Sequence, residues 1–211
     1  MEVLQLQKHL SIVDTAFKKL SDNELLKRYS VGDESAFREL VVRYKNSLYS
    51  FLRMFLYRDD HVEDVFQETF LQFFKSLDLF DMNRPVRPWL FMIAANKAKD
   101  AIRKLQQIHE VPFVMLADSE ENCFEDFFNA IVSDNSTPAV KLEEREYVLL
   151  VREVISIMPV HYREILLLAY FNKFSYKQIA DILSIPVGTV KSRLHSAVRH
   201  FAKLWSESVY H

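Results

Sequence analysis

The chain has 211 residues, 49% of them hydrophobic, with 27 basic against 29 acidic side chains and a formal net charge of −2. That balance excludes a uniformly basic nucleic-acid coat, and the single cysteine, Cys123, excludes an internal disulfide framework and a cysteine-based zinc site. No apolar run approaches the ~18–20 residues that cross a bilayer, and the N-terminus lacks a basic segment, apolar stretch and cleavage site in series, so a soluble cytoplasmic chain without membrane insertion is expected. Only two glycines occur, and β-branched runs bounded by turn residues are scarce, which predicts an all-α fold.

Val3, Leu6, Leu10, Val13, Phe17 and Leu20 recur at spacings of three and four, giving residues 1–20 the seam of an amphipathic helical extension that needs a docking surface. Ser21 with Glu24 forms a capping-box pattern that opens a new helix, and Gly32 can end it. A long helix follows over about 33–57, with Phe37, Leu40, Val41, Tyr44, Leu48, Phe51, Leu52 and Phe55 inward. Another, over about 60–77, turns Val62, Val65, Phe66, Phe70, Phe73 and Leu77 inward. Pro85 and Pro88 stiffen a loop, and Pro88 suits the first turn of a fourth helix reaching about Gln107. These helices make residues 21–110 a first small domain.

Residues 111–140 read as an acidic linker. Asp118, Glu120, Glu121, Glu125, Asp126 and Asp134 fall there without a Lys or Arg, and N-S-T-P supplies a turn signal. Phe124, Phe127, Phe128 and Ile131 add apolar weight that a free spacer avoids, so part of the linker is expected to fold or to rest on a partner. A second small domain over 141–205 contains helices at about 141–157 and 162–171, then a short helix over 175–183 with Tyr176, Ile179, Ala180 and Leu183 inward. Ser184-Ile185-Pro186 turns into a final helix packed through Val190, Leu194, Ala197 and Phe201, which is helix-turn-helix spacing. Gly188, Lys191, Ser192, His195 and Arg199 then share another face, and no acidic residue occurs from Ile182 to Ser206. Small residues at Val187, Gly188 and Thr189 allow close approach to base edges, and Lys191 and Arg193 can reach phosphates or guanine acceptors. From spacing alone a second reading stays open, because basic residues late in a helix also complement its dipole.

The string M-P-V-H-Y-R-E-I-L-L-L-A-Y-F-N-K-F-S-Y-K-Q-I-A-D-I-L-S-I-P-V-G-T-V-K-S-R-L-H-S-A resembles region 4 of the extracytoplasmic-function sigma factors. LuxR-type regulators share T-V-K-S, but P-x-x-x-R-E-I-L-L-L before it and R-L-H-S-A after it favour sigma. The resemblance implies that Gly188, Thr189, Lys191, Ser192, Arg193, His195 and Arg199 read a minus-35 element, and that this domain touches the β flap of RNA polymerase. D-N-E-L-L-K-R-Y-S-V-G-D-E-S-A-F-R-E-L-V-V-R-Y is similar to the family's region 2.1, and V-E-D-V-F-Q-E-T-F-L-Q-F-F to its region 2.2. Asp64, Gln67, Glu68 and Leu71 share one helical face. Taken alone, that face is an acidic solvated surface; the resemblance makes it the contact with the β′ clamp helices.

R-P-V-R-P-W-L-F-M-I-A-A-N-K-A-K-D-A-I-R-K is similar to regions 2.3 and 2.4, the promoter-opening segment. Holding unstacked bases and a single strand requires aromatic, amide and basic groups together. Phe80, Arg84, Arg87 and Trp89 lie in or beside the proline-stiffened loop, and Asn96, Lys99 and Arg103 share a helical face flanked by Lys97 and Lys104. By resemblance Asn96 stands at the pocket for a flipped minus-10 base, with the loop over 81–87 as its wall. By residue type alone Trp89 is a core anchor and Asn96 a surface amide. Ala95 departs from the family, where many members carry Arg or another polar residue. The acidic linker, by the same resemblance, runs through the polymerase channel for template and nascent RNA as a charge mimic; a solubilising spacer is its plainer reading.

The sequence therefore predicts a non-enzymatic alternative sigma factor with no cofactor and no metal. Its expected partners are core RNA polymerase and promoter DNA, with an anti-sigma factor as a further candidate. One rival is a stand-alone helix-turn-helix regulator, which would not require the order of acidic helix, basic helix, acidic linker and terminal reader. The other is a helical di-metal enzyme, which lacks its Glu-x-x-His ligand spacing here. Neither a G-x-x-x-x-G-K loop nor an H-E-x-x-H pattern occurs.

Overall fold

Helix α1 (Asp22–Ser30) begins where the Ser21 hydroxyl accepts the Glu24 amide and the Glu24 carboxylate accepts the Ser21 amide at 2.7 Å, the reciprocal cap foreseen in S-D-N-E. It ends in a Schellman arrangement: the Gly32 amide donates to Tyr29 O at 2.9 Å and the Asp33 amide to Arg28 O at 3.1 Å. Gly32 takes φ +97°, a backbone conformation that glycine adopts without a Cβ penalty. The computed structural model describes residues 17–56, 61–108 and 140–209. The extension up to residue 16, the acidic linker and Cys123 lie outside the described residues.

Asp22 ties α1 to α2 (Glu34–Leu56). Its carboxylate accepts from Arg43 at 2.7 Å and from the Tyr44 hydroxyl, while Arg43 also donates to the Leu20 and Phe17 carbonyls. Helix α2 buries Leu40, Tyr44, Leu48, Phe51, Leu52 and Phe55, with Phe37 and Val41 partly covered. Against it lie α3 (Val62–Lys75), a 3-10 turn (Leu77–Leu79) and α4 (Val86–Ile108). Pro85 immediately precedes α4, and Pro88 sits in its first turn, where a missing amide hydrogen leaves no intrahelical bond unmade. Leu90, Phe91, Ala94, Ala95 and Ala98 are all buried, and these alanines let α4 lie close to its neighbours.

The C-terminal half holds α5 (Val140–Ile157), α6 (Val160–Leu166), a π-turn (Leu167–Phe171), α7 (Tyr176–Leu183) and α8 (Val187–Val209). A second capping box, Ser175 with Gln178, opens α7, and Ser184 at φ +53° makes the tight turn into α8. Val190, Leu194, Ala197 and Phe201 are buried along α8, as their spacing predicts. One inward assignment is corrected: Tyr176 is 45% exposed, and Ile182 is buried with Ile179. Helix α7 packs on both α8 and α4, so its covered face centres on the two isoleucines and the first-turn tyrosine projects past the edge. Among the described residues there is no strand, and no helix is long and apolar enough to cross a membrane.

Phe51 is 2% exposed and meets Phe55 and Phe91 with ring centroids 5.5 and 5.4 Å away. Phe51→Ala is expected to destabilise the protein by about 3–5 kcal/mol, read from the urea midpoint. A loss below about 1 kcal/mol would mean that the surrounding rings collapse to fill the gap.

Candidate nucleic-acid interface

Helix α8 starts in the sequence that the helix-turn-helix reading singled out. Gly188, Lys191, Ser192 and His195 are exposed along it, while Thr189 and Arg199 are half-buried. The Ser192 hydroxyl lies 3.3 Å from each of the Gly188 and Thr189 carbonyls, which holds it against the helix. A Cβ placed on Gly188 would meet nothing within 4 Å. The fold itself therefore leaves room for a larger residue there. Arg193 is placed differently from its neighbours: its Nη1 lies 3.7 Å from Glu164 Oε1 on α6, and its side chain is only 26% exposed.

Asp64, Gln67, Glu68 and Leu71 all stand exposed on one side of α3, opposite Val65, Phe70 and Phe73. Gln67 donates to Glu63 at 2.9 Å, and Glu68 pairs with Lys97 of α4 at 3.3 Å. Between the two helices runs a groove of about 510 Å³ lined by charges of both signs, among them Asp64, Glu68, Asp100, Arg103 and Lys104.

The loop before α4 is pinned rather than free. Asn23 on α1 donates its side-chain amide to the Met82 carbonyl at 2.5 Å and to the Arg84 carbonyl at 3.1 Å, and Asp81 accepts the Asn83 amide at 2.9 Å. Phe80 stacks on Trp89 with centroids 4.2 Å apart and planes within 19°, and Trp89 meets Phe73 at 4.8 Å. Trp89 thus anchors the loop to the core, while Phe80 forms one wall of a cavity of about 190 Å³. Trp89, Asp81, Arg84, Pro88 and Met92 also line it, together with Asp181 and Ile182 from α7.

Along α4, Asn96 and Arg103 are exposed, and Arg103 pairs with Asp100 one turn away. Arg87 and Lys99 turn instead toward the C-terminal half. Arg87 donates to the Asn172 carbonyl at 2.7 Å and lies over the Phe174 ring at 4.3 Å; burial holds its guanidinium below the ordinary arginine value. Lys99 Nζ sits 3.3 Å from Glu164 Oε2. Glu164 is 4% exposed, and burial pushes its carboxyl up while Lys99 and Arg193 pull it back.

The structure therefore brings Arg87, Lys99 and Arg193 onto intrachain partners, while Asn96, Arg84, Gly188 and Lys191 are exposed. Sequence reasoning missed Asn23, Asn172, Phe174 and the adjacent pair Arg163 and Glu164. Arg163 donates to the Phe55 carbonyl at the end of α2 at 2.6 Å and to the Met158 carbonyl at 3.0 Å, and burial lowers its pKa to about 10. The available signal was two charged residues set directly before the apolar run I-L-L-L.

Two helical halves, the second carrying a helix-turn-helix with a small, basic start to its last helix, define a DNA-reading protein of two parts. Residues 40–108 match the family model of sigma-70 region 2, and residues 149–201 that of sigma-70 region 4. The chain is 33% identical over 170 residues to the ECF RNA polymerase sigma factor SigW of Bacillus subtilis (strain 168), covering 81% of this chain and 89% of that protein. A solved structure of CnrH in complex with the cytosolic domain of CnrY superposes with a TM-score of 0.63 at 26% identity, over 88% of this chain and 97% of that one. The sigma factor RpoE from Bartonella quintana, solved with the anti-sigma factor NepR, shares the fold at a TM-score of 0.59 and 21% identity, over 81% and 96%. The chain belongs to the extracytoplasmic-function sigma factors of the sigma-70 family, alternative sigma factors for transcription initiation.

Around α8, His161 and His200 flank Tyr162 at 4.2 and 5.5 Å. Burial first, then the charges of Arg193 and His200 on His161 and of Lys203 on His200, hold both imidazoles below their ordinary 6.5. A depressed folded value means that the unfolded chain takes up these protons more readily. Their contribution to stability is fully present above about pH 6.5 and is lost as pH falls through the folded values. The Tm of the parent is expected to fall between about pH 7 and pH 5.5 more steeply than that of the His161→Gln/His200→Gln variant. Parallel slopes would remove these histidines as the cause.

Proposed function

We propose that the exposed start of α8 reads the minus-35 element, through Gly188, Thr189, Lys191, Ser192 and His195, with Arg193 and Arg199 at its margin. The α3 face of Asp64, Gln67, Glu68 and Leu71 takes the β′ clamp helices of core polymerase. Helix α4 and the loop before it hold the melted minus-10 strand, with Asn96 at the flipped base, Phe80 as a stacking wall and Arg84, Arg87, Lys99 and Arg103 along the backbone. Residues 21–110 and 141–205 serve as the two working domains, with 111–140 as the acidic connector in the polymerase channel and 1–20 as an extension. The β flap is the docking site for the second domain, and the protein acts in the cytoplasm without a catalytic role of its own.

The observation that carries this reading is the aromatic-walled cavity at the start of α4, the helix that also bears the exposed Asn96 amide, in the same chain as an exposed, glycine-started reader helix. A simple repressor has use for the second feature only. The similar CnrH was solved in complex with the cytosolic domain of CnrY, and RpoE of the same fold with the anti-sigma factor NepR, which supports a protein partner such as an anti-sigma factor for this chain too.

Asn96 carries an amide that can both donate and accept, and only a melted strand offers it an unpaired base edge. Asn96→Ala is expected to keep helical content and affinity for core polymerase while costing the open complex on the order of 1–3 kcal/mol. Permanganate footprinting of the minus-10 region, beside the same promoter with a pre-melted bubble, reads this directly. Wild-type opening of duplex promoter by the variant makes Asn96 a structural residue. Gly188 yields a second prediction, since its Cβ space is open within the chain. Gly188→Ala is expected not to lower the Tm yet to reduce transcription from promoters that depend on a minus-35 element; equal transcription from them would place DNA away from the start of α8.

A further inference from the structure

Asn23 stands in the first turn of α1 between two residues whose side chains are fixed. Glu24 exchanges bonds with Ser21, and Asp22 accepts from Arg43 at 2.7 Å and from the Tyr44 hydroxyl. The Asn23 side chain therefore projects from a rigid base. Its Nδ2 donates to the Met82 carbonyl at 2.5 Å and to the Arg84 carbonyl at 3.1 Å, 59 and 61 residues away. Both acceptors belong to the loop before α4, and Asp81 and Arg84 of that loop line the cavity that Phe80 walls. Within the loop, Asp81 accepts the Asn83 backbone amide at 2.9 Å and its side-chain amide at 3.0 Å, and the Arg84 amide donates to the Asp81 carbonyl at 2.9 Å. These local bonds shape the turn without fixing its distance from the helices. Phe80 and Met82 rest partly covered against the core, but apolar contact is not directional. Among the described residues, the hydrogen bonds that tie residues 81–84 to another element are the two from Asn23.

We infer that Asn23 is a positioning residue for the minus-10 cavity: by holding the Met82 and Arg84 carbonyls it fixes the loop wall, and through that wall it sets how narrowly the cavity discriminates between bases. The inference rests on the assignment of this cavity and Asn96 to the melted minus-10 strand. Discrimination requires a wall that does not yield, since a site loose by about 1 Å accepts several partners with similar affinity. Asn23 is not among the residues that line the cavity. Its loss leaves the lining chemistry intact and changes only where Asp81 and Arg84 stand. The loop is exposed at Asp81, Asn83 and Arg84, so water can replace the lost donor and the fold does not depend on it.

The test uses the full chain with core polymerase. Starting from a promoter that the parent uses, one library is randomised through the minus-10 element and another through the minus-35 element, and the initiated transcripts are sequenced. Asn23→Ala removes the donor. Asn23→Asp, of equal size, sets a carboxylate against the two carbonyls while suiting the N-terminus of α1. In both variants the preference for the best minus-10 base over the next is expected to fall by about fivefold. The minus-35 profile and the affinity for core polymerase are expected to stay as in the parent. Asn23→Gln keeps the donor on a longer arm and is expected to retain more of the preference than Asn23→Asp. Without any transcription, hydrogen exchange at the Arg84 amide is expected to be faster in Asn23→Ala than in the parent. A residue that served stability alone would lower output from every promoter alike and leave both profiles in shape. An unchanged minus-10 profile in Asn23→Ala, a loss of preference at both elements, or unchanged exchange at Arg84 overturns the assignment. So does circular dichroism that shows Asn23→Ala and Asn23→Asp both unfolded; if only the aspartate variant unfolds, the alanine variant decides. Failure of the sigma reading shows differently, as absence of transcripts from the parent itself. It would remove the premise of base discrimination while the exchange comparison still reports the tether.

Discussion

Phe91 of α4 has Phe51 of α2 on one side and Phe174, beyond the π-turn, on the other, with ring centroids 5.4 and 5.1 Å away. Edge-to-face contacts of this kind add about 0.5–1.5 kcal/mol beyond the area they bury. Their larger consequence here is positional. One side chain serves the cores of both halves, so α4 cannot rotate to suit one half without disturbing the other. Arg87, one turn before Phe91, is carried onto the Asn172 carbonyl, and Lys99, two turns after it, onto Glu164. Asn96 falls on the remaining side and is left exposed.

The electrostatics follow from that placement. A net charge of −2 conceals cations gathered on α4 and α8 and acids placed where they can meet them. Glu164 is nearly fully buried, which raises the cost of its charge, and it stays beside two cations that favour the ionised form. Arg163 beside it gives both terminal nitrogens to backbone carbonyls, including that of Phe55 at the end of α2, where a cation also complements the helix dipole. Adjacent residues of opposite charge thus divide their roles: one caps a helix of the N-terminal half, and the other binds side chains from α4 and α8.

Much of the fold was legible because its signals are local. The Ser21–Glu24 capping box, the helix-ending Gly32, Pro88 in the first turn of α4 and the apolar spacing of Val190, Leu194, Ala197 and Phe201 each need only a few neighbouring residues, and the structure shows each of them. Tyr176 was misplaced because an eight-residue helix has little periodicity to average over, and its covered face was chosen by α4, which the local pattern does not contain. The exposed faces of α3 and α8 were legible for the same reason as the core, being what remains of each helix once its apolar stripe is removed.

Amino-acid order alone determined the all-α class, the helix boundaries to within a few residues and the two motif-bearing segments, since hydrophobic period, caps and turn residues act over one or two turns. Tertiary structure alone decided which cations stay open. Arg87 meets its acceptor 85 residues away and Arg163 reaches one 108 residues away, and no pattern along the chain ranks such pairings. Local periodicity states that a basic residue lies off the core; only the packing of the two halves on α4 states whether water, a carboxylate or a carbonyl lies beyond it.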